Sequence, residues 1–173
     1  GSSNHLVLLA RNQVGYQNLI KLTTRSYLQG FYYNPRIDHE TLREVIEALI
    51  GLPAFLKGEI NERILSNREA EAEARAREYA EILGPENFFL ELQDHGIPEQ
   101  RAANEVLRRM SKKLGLGLVV TNDCHYLRQS DSVAHDVLLC IGTQRARSDP
   151  DRLKYASDQF YLKSGSELAA LFP

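Results

Sequence analysis

The stretch LGLGLVVTNDCHY, Leu114 to Tyr126, decides how the chain is read. It starts where an amphipathic helix ends, runs through an apolar segment and finishes in polar, metal-capable side chains. Leu116 to Val120 reads as a buried parallel strand, because such a strand needs apolar side chains on both faces. Asn122, Asp123 and His125 then fall just beyond its carboxyl end, where α/β folds place their chemistry. Asp123 and His125 are two residues apart, so in extended backbone their side chains leave the same face. A carboxylate oxygen and an imidazole nitrogen converging in this way suit Zn²⁺, Mn²⁺ or Fe. The plainer alternative is that Asp123 caps the turn and His125 is a surface histidine.

Working back from that stretch, a helix opens at Pro98 and buries Ala103, Val106, Leu107, Met110 and Leu114. The strand before it, Asn87 to Gln93, brings Glu91 and His95 to the same end as Asp123. Further upstream, His5 to Ala10 is a short apolar strand. Asn12 caps a helix over residues 13 to 28 whose inward face is Tyr16, Leu19, Ile20, Thr23 and Tyr27. The loop GFYYNPR (Gly30 to Arg36) carries three adjacent aromatics; they suit the edge of a core better than base stacking. Asp38 caps a second helix with Leu42, Val45, Ile46 and Leu49 at helical spacing, and Leu49 to Leu56 reads as a strand despite Pro53. Ser66 and Glu69 form a capping-box pattern before a long helix that ends near Leu83, with Glu71–Arg75 and Glu73–Arg77 as solvated pairs.

Downstream, Ser130 or Asp131 opens a helix with Val133, Val137, Leu138 and Ile141 facing inward, and His135 within it. Residues 159 to 163 form a short strand, and Ser164 caps a terminal helix. The order β-α-α-β-α-α-β-α-β-α, with apolar strands, predicts an α/β fold on a parallel sheet, an open sheet or an incomplete barrel.

At 173 residues the chain is long enough for a real core, and residues 4–173 read as one α/β domain. Gly1-Ser2-Ser3 resembles a cloning remnant. A hydrophobic content of 43% and a charged content of 25% are those of a soluble globular protein. The net charge of -2 supplies no field that would attract nucleic acid unaided. Two cysteines, Cys124 and Cys140, make no disulfide framework and fit a reduced, cytoplasmic setting. No apolar run approaches membrane-spanning length.

Several strings together carry a resemblance: HLVLLARNQVGYQNLIKL, GFYYNPRID, FFLELQDHGIPEQRAANEVL, LGLGLVVTNDCHYLRQSDSVAHDVLLCIGT and SDQFYLKS. In this order and spacing they resemble the later part of the polymerase-and-histidinol-phosphatase (PHP) domain of bacterial DNA polymerase III alpha subunits. The resemblance spans nearly all of residues 4 to 173. It implies part of a distorted seven-stranded (βα) barrel whose strand ends hold up to three metal ions. In some members that cluster acts as a 3′-5′ proofreading exonuclease; in others it is degenerate and the domain is structural.

Carried over by position, His5, Asp123 and His125 match metal ligands of active members, with Glu91, His95 and Asn122 as supporting groups. Where the family reads SGCxSGE with a cysteine ligand, this chain reads LPAFLKGE, placing Phe55 at the ligand position. The family's HxH motif, its other early ligands and the polymerase palm carboxylates are not in this sequence. The resemblance therefore implies a structural module of the replicase with a decayed site, in which Zn²⁺, Mn²⁺ or Mg²⁺ binds weakly or not at all. A metal-dependent phosphoesterase is the alternative. Expected partners are the rest of the polymerase alpha chain, DNA through that parent, and a second copy through the open edge of the His5–Ala10 strand. No membrane is expected.

Overall fold

The structure is a computed structural model, and it describes residues 3–172. Gly1 and Ser2 of the expected remnant lie outside the described residues; Ser3 is exposed coil. Seven α-helices and four strands are described, in the order β1 (Val7–Ala10), α1 (Gln13–Leu28), α2 (His39–Glu44), β2 (Leu49–Leu52), α3 (Glu59–Leu65), α4 (Glu69–Leu83), β3 (Phe89–Leu92), α5 (Pro98–Leu114), β4 (Gly117–Val120), α6 (Ser132–Thr143) and α7 (Gly165–Leu171), with short 3-10 turns at Phe55–Lys57 and Gln129–Asp131. The fold is mixed α/β, with small parallel and antiparallel sheets. The chain divides into two compact units, residues 1–91 with 105–119 and residues 92–104 with 120–173.

In the first unit β1 pairs with β2 antiparallel, Val7 opposite Leu52 and Ala10 opposite Leu49. This departs from the all-parallel expectation. Between them α2 ends at Glu44, and Ala48, at a φ of 58°, turns the chain before Leu49 starts β2. Parallel pairing appears next to it, where Gly51 bridges Phe88 and its N–H donates to the Asn87 carbonyl at 2.9 Å. Gly51 packs closely there, and a Cβ would sit 2.4 Å from Leu83 Cδ1 and push that side chain aside. β3 neighbours β4 through the helical connection α5.

α1 has the predicted bounds, with Asn12 Oδ1 accepting from the N–H groups of Val14 and Gly15. Its buried face is instead Gly15, Asn18 and Leu22, while Tyr16, Ile20 and Tyr27 are exposed. Gly15 explains the choice. A Cβ there would lie 2.2 Å from the Ala48 carbonyl oxygen, so only a bare backbone allows this approach, and Asn18 Nδ2 donates to the Glu47 carbonyl beside it. The aromatics of the 30–36 loop are likewise exposed: Phe31 stacks on Tyr27 and Tyr32 meets Tyr33 edge-on, with Arg36 over the Tyr32 ring. They do not close a core edge.

The core of this unit is Leu42, Leu49, Ile60, Ala72, Ala76, Ile82, Leu83, Phe88, Leu90 and Leu107. α4 has no side-chain cap; Ser66 closes α3, so the expected capping box is not formed. Of the two expected helix pairs, Glu73–Arg77 is present at 2.9 Å, whereas Arg75 turns to Glu59 at 3.0 Å and to Glu78. β4 is less covered than expected, with Leu118 exposed.

In the second unit α6 starts at Ser132, but Val133, Val137, Leu138 and Ile141 are exposed and only Cys140 is buried. The expected strand at 159–163 is reduced to a parallel bridge between Tyr126 and Tyr161. α7 is capped as predicted: Ser164 Oγ accepts from the Glu167 N–H, and the Glu167 carboxylate accepts from the Ser164 N–H at 2.8 Å. This cap, with Tyr161 Oη donating at 2.8 Å, holds the Glu167 pKa down at about 2.

Candidate metal centre

The second unit builds its polar cluster around the segment that follows β4. Thr121 N–H donates to the Leu92 carbonyl at 3.1 Å, and Gln93 Nε2 donates to Thr121 Oγ1 at 2.7 Å. Beyond it, His125 N–H donates to the Phe160 carbonyl at 2.8 Å and Asn122 Nδ2 donates to the Tyr161 carbonyl. Backbone 121–126 is thus held from both sides. The Asp123 and His125 side chains approach to 3.7 Å, and His125 Nδ1 lies 3.1 Å from the Asp123 carbonyl. A proton on Nδ1 donated to that carbonyl leaves Nε2 as the free imidazole lone pair.

His95 is fully buried and lies behind this turn. Its backbone N–H donates to Gln100 Oε1 at 2.6 Å, its Nδ1 meets Gln100 Nε2 at 2.8 Å, and Nε2 faces the Asp123 N–H at 3.2 Å. Phe160 stacks on the ring at 4.3 Å with planes 5° apart. Burial, followed by the Lys163 charge, depresses the His95 pKa and keeps the ring neutral. Both ring nitrogens face protein groups, so His95 holds the Asp123 turn and is not placed to ligate. Asn122 is half-buried and ties the turn to Tyr161.

The remaining candidates lie in the first unit. His5 is exposed, ahead of β1, and its N–H donates to the Lys57 carbonyl at 3.1 Å. Glu91 is a buried carboxylate, 4% exposed, and accepts from the Phe55 N–H at 3.1 Å. Phe55 is half-buried. Ala54 and Phe55 have φ of 49° and 50°, a left-handed conformation that non-glycine residues rarely adopt.

Catalytic zinc sites use three protein ligands and structural ones four. Asp123 and His125 bring two donors together. Among the described residues no three His, Cys, Asp or Glu side chains form a group that could hold a metal ion. Among the described residues, those present do not fit the family's cluster.

Two groups around the turn, Tyr155 and Phe160, were not singled out from sequence. Tyr155 packs edge-on to His125 at 4.9 Å and stacks on Phe160 at 4.7 Å, while His135 lies 5.6 Å from His125. Tyr155 follows a polar loop with no periodicity, and Phe160 belongs to a strand too short to form a ladder. Neither carries a signal that a single sequence exposes.

The PHP domain profile matches residues 2–95, more than half of the chain. The chain belongs to the PHP domain family. Its similarity to DNA polymerase III alpha subunits extends further along the chain. It is 48% identical over 169 residues to the DNA polymerase III subunit alpha of Treponema pallidum, covering 98% of this chain and 14% of that protein. The Thermus aquaticus subunit is 47% identical over 173 residues, covering all of this chain and 14% of the relative. That of Deinococcus radiodurans is 44% identical over 169 residues, 98% of this chain and 13% of the relative. This PHP chain therefore spans about one-seventh of the length of the curated relatives it matches. No described helix is long and apolar enough to cross a membrane.

Proposed function

We propose that this PHP chain serves as a structural module of a bacterial replicative DNA polymerase alpha subunit, with a degenerate metal site. In this reading it is part of a distorted seven-stranded (βα) barrel completed by other segments of that polypeptide. It works in the cytoplasm and reaches DNA only through the longer protein. The observation that carries it is the Phe55 segment. Where the family has a glycine and a ligating cysteine, the chain has Ala54 and Phe55, and a phenyl ring offers no lone pair to a metal. Zn²⁺, Mn²⁺ or Mg²⁺ then binds weakly through Asp123 and His125, with His5 a third donor only if the barrel brings it there.

The 3.7 Å Asp123–His125 pair supports the second reading, a metal-dependent phosphoesterase acting on DNA 3′ ends. Calorimetric titration with Zn²⁺ and Mn²⁺, beside a 3′-end nuclease assay, separates the two. The scaffold reading expects no stoichiometric nanomolar site and no nuclease activity above background. A tight site lost in Asp123→Ala, together with nuclease activity lost in the same variant, would establish the enzyme.

A further inference from the structure

A chain of polar side chains joins three helices of the first unit. It starts at His39, the first residue of α2, a short helix whose buried side chain is Leu42. His39 Nδ1 lies 2.8 Å from Glu78 Oε1, and Nε2 lies 3.1 Å from Tyr79 Oη, both on α4. The Tyr79 hydroxyl in turn donates to Glu59 Oε2, at the start of α3, at 3.0 Å. Tyr79 is buried, and its ring meets the His39 ring edge-on at 4.9 Å.

Counting hydrogens decides the state of this chain. A carboxylate only accepts, so the Glu78 contact needs a hydrogen on Nδ1, and the Glu59 contact takes the single hydroxyl hydrogen of Tyr79. The tyrosine oxygen then faces Nε2 as an acceptor, and that contact needs a second hydrogen on the ring. Three contacts require three hydrogens, whereas a neutral imidazole and one hydroxyl supply two. Burial pushes the Glu78 carboxyl up, but His39 and Arg75 outweigh it and hold it below its ordinary value. Burial, followed by the Glu59 charge, raises the Tyr79 hydroxyl, which therefore keeps its hydrogen. The charged groups around the ring are Asp38 and Arg43 beside and on α2, Glu59 and Arg63 on α3, and Arg75 and Glu78 on α4. Arg43 and Arg75 bind Glu78, and Arg63 and Arg75 bind Glu59, so both carboxylates stay in place whichever state the ring takes.

We infer that His39 is a proton-operated latch for α2: the doubly protonated ring closes the Glu78–His39–Tyr79–Glu59 chain, and loss of one proton breaks one link. In the neutral ring Nε2 becomes an acceptor, the Tyr79 hydroxyl turns to it, and Glu59 Oε2 loses its hydroxyl donor. The link is present where the ring carries both protons and is lost as pH rises. That is opposite in sign to a histidine buried in its neutral form, such as His95. Because α2 is short, its local opening reports the latch. The inference goes beyond the scaffold reading and involves neither metal nor DNA, so it stands or falls separately from nuclease activity.

The test uses the whole chain, labelled with nitrogen-15, between about pH 5.5 and about pH 8.5, the range in which histidines titrate. Ring signals assigned with His39→Gln should show both nitrogens protonated at the acid end and Nδ1–H alone at the alkaline end. Hydrogen exchange at residues 41–44, corrected for its intrinsic pH dependence, should lose protection about three- to tenfold at the alkaline end, the worth of one hydrogen bond. That loss should vanish in His39→Gln. Tyr79→Phe keeps the Glu78 contact and removes both hydroxyl contacts, so the loss should shrink there as well. A ring with a single hydrogen at the acid end, α2 exchange independent of pH, or a pH dependence that survives in His39→Gln would each overturn the inference. An undiminished pH dependence in Tyr79→Phe would reduce His39 to a plain ion pair with Glu78, and would overturn it too.

Discussion

At the scale of single residues, Ala54 and Phe55 show what the chain tolerates. Left-handed φ at an L-residue costs on the order of 1 kcal/mol, and here two occur in succession, with the Phe55 N–H anchored on Glu91. Ala54→Gly removes one penalty at the expense of a floppier unfolded chain. It should raise stability by about 0.5–1 kcal/mol in a urea melt. Phe55→Ala should cost about 1–2 kcal/mol, below the ~3–5 typical of a fully buried phenylalanine, because the ring is only half covered. A loss above that would show that the ring has found a deeper pocket. His95 gives a pH dependence of defined sign. Its pKa is lowered from 6.5 by burial, so the native state binds the proton less readily than the unfolded chain. The stability it contributes is complete above pH 6.5 and drains away as pH falls below that value. Urea midpoints compared at about pH 7.5 and about pH 5.5 should fall in the parent and fall less in His95→Gln.

Elements divide into those whose bounds were legible in the sequence and those whose packing was not. Asn12, Asp38 and Ser164 announced three helix starts, because a cap is a local hydrogen bond that needs no tertiary partner. The inward stripe of α5 was legible too, with Ala103, Leu107 and Met110 buried. α1 and α6 were misjudged. Both have apolar residues at helical spacing, but periodicity says only that a face wants cover and cannot say whether cover is present. The same holds for the candidate site: Asp123 and His125 could be paired from strand alternation, whereas Tyr155 and the Gln100–His95 contact depend on distant segments. α6 offers a direct check. Leu138 is 63% exposed, so Leu138→Lys should change the unfolding free energy by less than about 0.5 kcal/mol. A helix with that face buried would lose several times as much.

At the scale of the whole molecule, β1 has one hydrogen-bonded neighbour in its sheet, and Val7 and Leu9 are exposed beside it. An open strand edge next to apolar side chains favours pairing with another chain. Light scattering at micromolar concentration should therefore detect reversible dimers, and lysine at Leu9 should suppress them; a strictly monomeric parent would refute this association. The exposed loop after α1 has a different consequence, in proteolysis. Phe31, Tyr32 and Tyr33 stand in the open, on a connection without a ladder of its own, and Tyr33 has a left-handed φ. A protease that prefers aromatic residues should nick the chain there before it touches α4 or α5, since such enzymes cut where backbone can unfold locally. The two pieces would not separate. The shorter one carries β1 and α1, and remains fastened by the β1–β2 ladder, the Asn18–Glu47 bond and the seat that Gly15 makes against Ala48. What leaves the column would still be one particle, made of two chains.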